Sequence, residues 1–201
     1  MKIAVIGTGY VGLVSGTCLA SKGHRVTCFD LNKDTIDTLK SGEIPIYEDG
    51  LADLMLKNRK NIFFEILNFE KKLRLLEFDT IIVAVGTPNL KGKIDLSQIE
   101  SVAIMLAKLI KNTEKYISII LRSTVLPGTT DTFFKNIIEN QSGKKLGQFG
   151  LGMNPEFLRE GSAIDDFLGA DRIVMGYEDK GTLNIMRDMY RSWNCQKLEM
   201  N

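Results

Sequence analysis

The chain has 201 residues, of which 44% are hydrophobic and 25% charged, with a formal net charge of +1. These are the values of a globular protein with a good core, and the near-zero charge leaves no global field to attract nucleic acid or anionic lipid. Three cysteines (Cys18, Cys28, Cys195), no CxxC pair and one histidine argue against a disulfide framework and a zinc site, so no metal is expected.

In chain order, KIAVIG (2–7) reads as a buried strand, followed by a helix at 10–22. A lysine ahead of an apolar stretch at residues 1–20 resembles a secretory signal, but the regularly spaced glycines speak against one. No other apolar run is long enough to cross a bilayer, so a cytoplasmic protein is expected. His24 reads as a surface loop residue before a second strand, RVTCFD (25–30). Helices follow at 33–41 and 50–58, then strands NIFFEI (61–66) and DTIIVAVG (79–86). A helix at 97–112, strand ISIILRS (117–123), helix 128–140 and strand FGLGMN (149–154) come next. RIVMG (172–176), a helix at 179–192 and a last strand QKLEM (196–200) complete the pattern.

Strands at 2–7, 79–86 and 117–123 are apolar nearly throughout, which suits burial on both faces. The expected fold is therefore α/β: a Rossmann-type doubly wound parallel sheet with helices on both faces and one or two extra C-terminal strands. No repeat, low-complexity segment or Pro- or Ser-rich linker divides the chain, so residues 1–201 are expected to form one domain.

GTGYVG sets Gly7, Gly9 and Gly12 in GxGxxG spacing between a strand and a helix. In that setting Gly7 permits the tight turn, Gly9 lets a pyrophosphate approach the backbone, and Gly12 lets the helix lie close to the sheet. Asp30 ends the second strand, where a carboxylate bonds both ribose hydroxyls of an adenosine and repels a 2′-phosphate, which favours NAD over NADP. The alternative is a glycine-rich turn with Asp30 capping the next helix. VGTP (85–88) and RSTVLPG (122–128) end two further strands, so Thr87, Ser123 and Thr124 are expected to point into the cofactor cleft, unless each merely caps the helix after it. MNPEFLREGSAIDDF (153–167) arrives at the same edge with Glu156 and Glu160 four apart, a spacing that also suits a solvated helix face.

GTGYVGLVSG, VAVGTP, RSTVLPGTT, NPEFLREGSAIDDF and DRIVMG, in that order, resemble the NAD-binding domain of the UDP-glucose/GDP-mannose dehydrogenase family through almost the whole chain. The resemblance implies oxidation of the C6 alcohol of a nucleotide sugar to a carboxylate with two NAD, through a covalent thiohemiacetal and thioester on a cysteine. It implies that Glu156 is the general acid/base acting through a water that Thr124 helps to hold, and that Glu156, Phe157, Leu158 and Arg159 lie along the sugar nucleotide. Cofactor contacts are implied at Gly7, Thr8, Gly9, Tyr10, Val11, Gly12, Asp30, Val85, Thr87, Pro88, Ser123 and Glu160. A carboxylate beside Phe157 and Leu158 in a closing cleft is expected to have its pKa raised toward general-base strength.

Many members of that family carry a basic residue five positions after the ribose-binding acid, where this chain has Thr35; Lys33 is the nearest basic residue. The family's nucleophilic cysteine lies in a later domain, reached by a long linking helix. The chain is thus expected to be the NAD-binding half of a homodimeric enzyme, with that helix and the nucleotide-sugar-binding domain outside it. UDP-glucose is the expected substrate on GSAIDDFLGADRIVMG, with GDP-mannose the alternative on RSTVLPGTT and SGKK, and a non-catalytic NAD-binding module a further one. Cys18 and Cys28 are expected to be buried and inert, and Cys195 to pack at a strand start.

Overall fold

The structure, a computed structural model, describes residues 1–68 and 71–201, with the side chains of 71–73 left aside. Among the described residues eight strands form one sheet. From one edge to the other they are β3 (Ile62–Ile66), β2 (Arg25–Asp30), β1 (Lys2–Ile6), β4 (Thr80–Val83), β7 (Ser118–Leu121), β8 (Gly150–Met153), β9 (Arg172–Tyr177) and β10 (Gln196–Met200). The first six run parallel. The chain starts in mid-sheet at β1, winds out to β3, then crosses back to β4, which creates the topological switch point where such sheets bind ligands.

Strand alternation divides the interior into two layers. Ile3 and Val5 of β1 pack on one face with α1 (Tyr10–Ser21), α2 (Lys33–Ser41), α3 (Leu51–Lys57), α6 (Ala163–Leu168) and α7 (Lys180–Met189). Ala4 and Ile6 pack on the other with α4 (Ser97–Ile110) and α5 (Lys135–Ser142). Each large apolar side chain so buried contributes about 1.5–3 kcal/mol. Helix α1 is buried continuously from Gly12 to Ala20, because the sheet, α3 and α6 enclose it, and its sequence is apolar all round as such a position demands. Its Gly16 matters here, since a Cβ there would meet the Cys28 sulfur at 2.6 Å.

The doubly wound parallel sheet with extra C-terminal strands is present as expected, with five differences of detail. The predicted helix at 128–140 is a wide π turn, Thr129–Phe134, that leads into α5. Helix α6 and a two-residue hairpin, β5 (Asn89–Leu90) with β6 (Lys93–Ile94), have no counterpart in the sequence reading. β9 runs antiparallel to β8. His24 is half-buried, with Nε2 2.8 Å from the Met189 carbonyl, and burial lowers its pKa. Among the described residues no helix is long and apolar enough to cross a membrane.

Candidate functional site

The turn from β1 into α1 depends on its glycines. Gly7 has φ 100°, its N–H donates to the Phe29 carbonyl at 2.8 Å, and a Cβ there would stand 2.5 Å from the Ala84 carbonyl oxygen. At Gly12 a Cβ would stand 2.0 Å from the Gly7 carbonyl oxygen. Gly9 is the opposite case: it is exposed and a Cβ would meet nothing within 4 Å, so the space before it is open. Helix α1 starts at this opening with no side-chain cap and no acidic residue in its first turn. Its first N–H groups are thus left for an anion, and the open cradle fits the pyrophosphate of a dinucleotide.

Asp30 stands beside this loop, with Oδ2 accepting from the Thr8 N–H and hydroxyl, both at 2.8 Å, and Oδ1 from the Asn32 N–H at 2.9 Å. It is not the helix cap, because Asn32 caps α2 by accepting from Asp34 and Thr35. Lys33 pairs with Asp37 on the exposed side of α2 at 2.5 Å. Replacing the charge while keeping the shape, Asp30→Asn is expected to weaken NAD about tenfold and to narrow its preference over NADP. Titration of both cofactors checks this, and an unchanged NAD affinity would remove Asp30 from the ribose.

Two hydrogen bonds fasten the ends of β4 and β7 together: Thr87 Oγ1 donates to the Thr124 carbonyl and Ser123 Oγ to the Val85 carbonyl, both at 2.7 Å. The expected orientation differs at Ser123, which is buried with its hydroxyl spent on that carbonyl. Thr124 and Pro88 are exposed. None of the three hydroxyl residues caps a helix, since α4 follows Leu96 and the π turn follows Gly128.

Residues 154–159 have no regular structure, so Glu156 and Glu160 do not share a helix face. The segment is held instead by side chains that its own motif does not announce. At its start Asn154 receives a hydrogen bond from Arg122, which is 4% exposed, and Arg122 Nε donates to Ser15 at 2.8 Å. The Asn154 amide donates to the Val174 carbonyl at 2.8 Å, while Tyr190 donates to its side-chain oxygen at 2.5 Å. In mid-segment Arg159 is gripped by Asp166, through its backbone N–H at 2.8 Å and a two-pronged guanidinium contact at 3.1 and 2.7 Å. Glu156 turns back on the chain, its Oε2 accepting from the Leu158 N–H at 2.6 Å. The apolar shelter expected for Glu156 from Phe157 is not formed: Phe157 is 53% exposed, with the Arg172 guanidinium 4.9 Å from its ring centre. A cleft of about 520 Å³ lies between this segment, α6 and the start of β9, with Arg122 and Tyr190 in its lining; the glycine loop lies outside it.

At the far end, Tyr10, the first residue of α1, donates its hydroxyl to buried Glu48 and lies near the Arg159 carbonyl and the Gly161 N–H. Burial first, and then donation to Glu48, push the Tyr10 phenol up to about 12; the Gly161 N–H, 3.2 Å from the Tyr10 hydroxyl, brings the end of the segment to α1. Burial also pushes the Cys18 and Cys28 thiols up to about 12, so neither is a thiolate at neutral pH. Cys195 packs partly buried against the core just before β10.

An anion cradle at the switch point of a parallel sheet, with an acid at the end of the next strand, defines a dinucleotide-binding domain of the dehydrogenase kind. Comparison with known proteins specifies it further. The chain belongs to the UDP-glucose/GDP-mannose dehydrogenase family, whose NAD-binding domain matches residues 1–194. It is 42% identical over 194 residues to a UDP-glucose 6-dehydrogenase of Bacillus subtilis and 39% identical over 193 to the GDP-mannose 6-dehydrogenase of Pseudomonas aeruginosa, 95% of this chain being covered in each case. The chain spans 42% and 44% of the length of those two relatives respectively. A GDP-mannose dehydrogenase crystal structure from Pseudomonas aeruginosa superimposes on the whole chain with a TM-score of 0.93 at 36% identity, using 46% of its own length.

Proposed function

We propose that this chain is the NAD-binding half of a nucleotide-sugar 6-dehydrogenase. The observation that carries the proposal is that NPEFLREG leaves β8 at the same sheet edge as the glycine loop, with its end at Gly161 bonded to Tyr10 of α1 and Glu156 lining an open cleft. NAD, held by the glycine loop and Asp30, supplies the hydride acceptor. Glu156 manages protons through a water that Thr124 helps to hold, and Phe157, Leu158 and Arg159 line the path of the sugar nucleotide. The nucleophile belongs outside residues 1–201, in keeping with two deeply buried thiols and a third that packs at the start of β10.

The sugar nucleotide proposed is UDP-glucose, supported by GSAIDDFLGADRIVMG and by the Bacillus subtilis relative. GDP-mannose is the second reading, favoured by RSTVLPGTT and the Pseudomonas aeruginosa relative. In solution this chain is expected to bind NAD yet form no NADH with either sugar nucleotide. A longer protein that supplies the second half is expected to reduce two NAD per UDP-glucose. Turnover by the chain alone that disappears in Cys195→Ala would overturn the placement of the nucleophile, and oxidation of GDP-mannose alone would reverse the choice of sugar.

A further inference from the structure

Glu48 lies in the turn before α3, a stretch to which the sequence reading gave no role. It is 7% exposed, and its carboxylate makes no ion pair among the described residues. Four donors surround it instead. Oε2 accepts from the Tyr10 hydroxyl and from the Gly161 N–H at 2.8 Å; Oε1 accepts from the Ala163 N–H at 2.7 Å and, more weakly, from Ile164 at 3.4 Å. Burying a carboxylate without a cation is costly, and it persists only where donors replace the lost water. Here they do: burial works against the charge, but Tyr10 and the three N–H groups outweigh it and hold the carboxyl below the usual glutamate range.

The donors come from two parts of the site. Tyr10 opens α1 within GTGYVG, while Gly161 directly follows Glu160 and is held at φ 85°. One oxygen receives both, so the distance from the first turn of α1 to the end of the acidic segment is fixed through a single atom. We propose that Glu48 is a positioning residue that sets the acidic segment against the cofactor loop by bridging Tyr10 and Gly161, without itself touching cofactor or sugar. The inference rests on the NAD-site reading above. With the bridge in place the Arg159 carbonyl and the Gly161 N–H stay next to Tyr10; without it, the end of the segment at residues 160–161 loses its fastening to the α1 terminus.

The test uses this 201-residue chain, with Glu48→Gln, Tyr10→Phe and the double variant. NAD dissociation constants are measured by titration, thermal midpoints by circular dichroism, and amide hydrogen exchange at Gly161 and Ala163 by NMR. Each single variant is expected to weaken NAD about fivefold, the value of one net hydrogen bond, and the double variant to be no weaker than that, because both changes break one bridge. Exchange at Gly161 is expected to accelerate about tenfold, with exchange in β1 and β4 unchanged. A purely structural Glu48 would lower the midpoint and speed exchange throughout while leaving NAD affinity alone, and that outcome overturns the proposal. Multiplicative losses, about 25-fold in the double variant, would also overturn it by making the two residues independent. If Glu48→Gln does not fold, Tyr10→Phe decides through the same exchange and affinity measurements. Failure of the unsubstituted chain to bind NAD would refute the cofactor reading instead, and is seen before any variant is made.

Discussion

Gly12→Ala is expected to cost about 3–5 kcal/mol of stability or to prevent folding, whereas Gly9→Ala is expected to leave the thermal midpoint alone and remove most NAD binding. The contrast follows from what each new methyl group meets. At position 12 it would stand 2.0 Å from the Gly7 carbonyl oxygen, a backbone atom that is itself confined because Gly7 packs against Ala84. Only a displacement of α1 relieves that contact, and α1 is buried along nine consecutive residues, Gly12 to Ala20. At position 9 the methyl group meets no protein atom within 4 Å and the backbone, at φ −67°, suits alanine. It stands where a pyrophosphate would approach, so the loss falls on the ligand, about tenfold or more in affinity. Thermal unfolding and NAD titration of both variants check the pair. Undiminished NAD binding by Gly9→Ala would mean that the phosphates do not pass over this loop.

In the longer protein, Glu156→Gln is expected to slow release of the sugar acid by about 10²–10³-fold while NAD affinity stays within about twofold. The substitution keeps the acceptor for the Leu158 N–H, on which one carboxylate oxygen is spent, so the local turn survives and the proton chemistry is what changes. Burst kinetics separate the two phases: early NADH formation should persist and steady-state turnover should fall. An unaffected steady-state rate would take Glu156 out of the mechanism.

Sequence alone exposed those parts of the fold and site that rest on contiguous signals. GTGYVG is legible because its glycine spacing between a strand and a helix is a contiguous pattern, although only Gly12 meets its steric demand within the motif, at the Gly7 carbonyl. The central strands were likewise visible because burial on both faces makes them apolar without a break. Helix α6 was not, since AIDDFL is too short to show a helical period. The hairpin at 89–94 has two residues per strand and the same limitation. Glu48 and Arg122 were missed for another reason: their partners lie 38 and 113 residues away for Glu48 and 107 and 32 for Arg122. No local pattern marks a residue whose role is to hold a distant one. Ser123 shows a different limit: its strand end was legible, but not that its hydroxyl donates to the Val85 carbonyl.

The reversal of β9 has a consequence for how such a domain can diversify. Because Met153 pairs with Gly176 in antiparallel register, the excursion through residues 154–171 leaves the sheet and returns to it along the same edge. Its two ends are fixed by the sheet, Arg172 standing four residues along β9 from the residue paired with Met153, roughly 13 Å at the usual strand rise. Closing a longer excursion between ends so fixed adds only about 0.6 kcal/mol for each doubling of length. Insertions after Gly161 can reshape the cleft while the glycine cradle, which lies outside that cleft, stays unchanged. The architecture thus sets a rigid glycine cradle apart from an excursion whose length can vary, the two joined where α1 meets the end of the excursion.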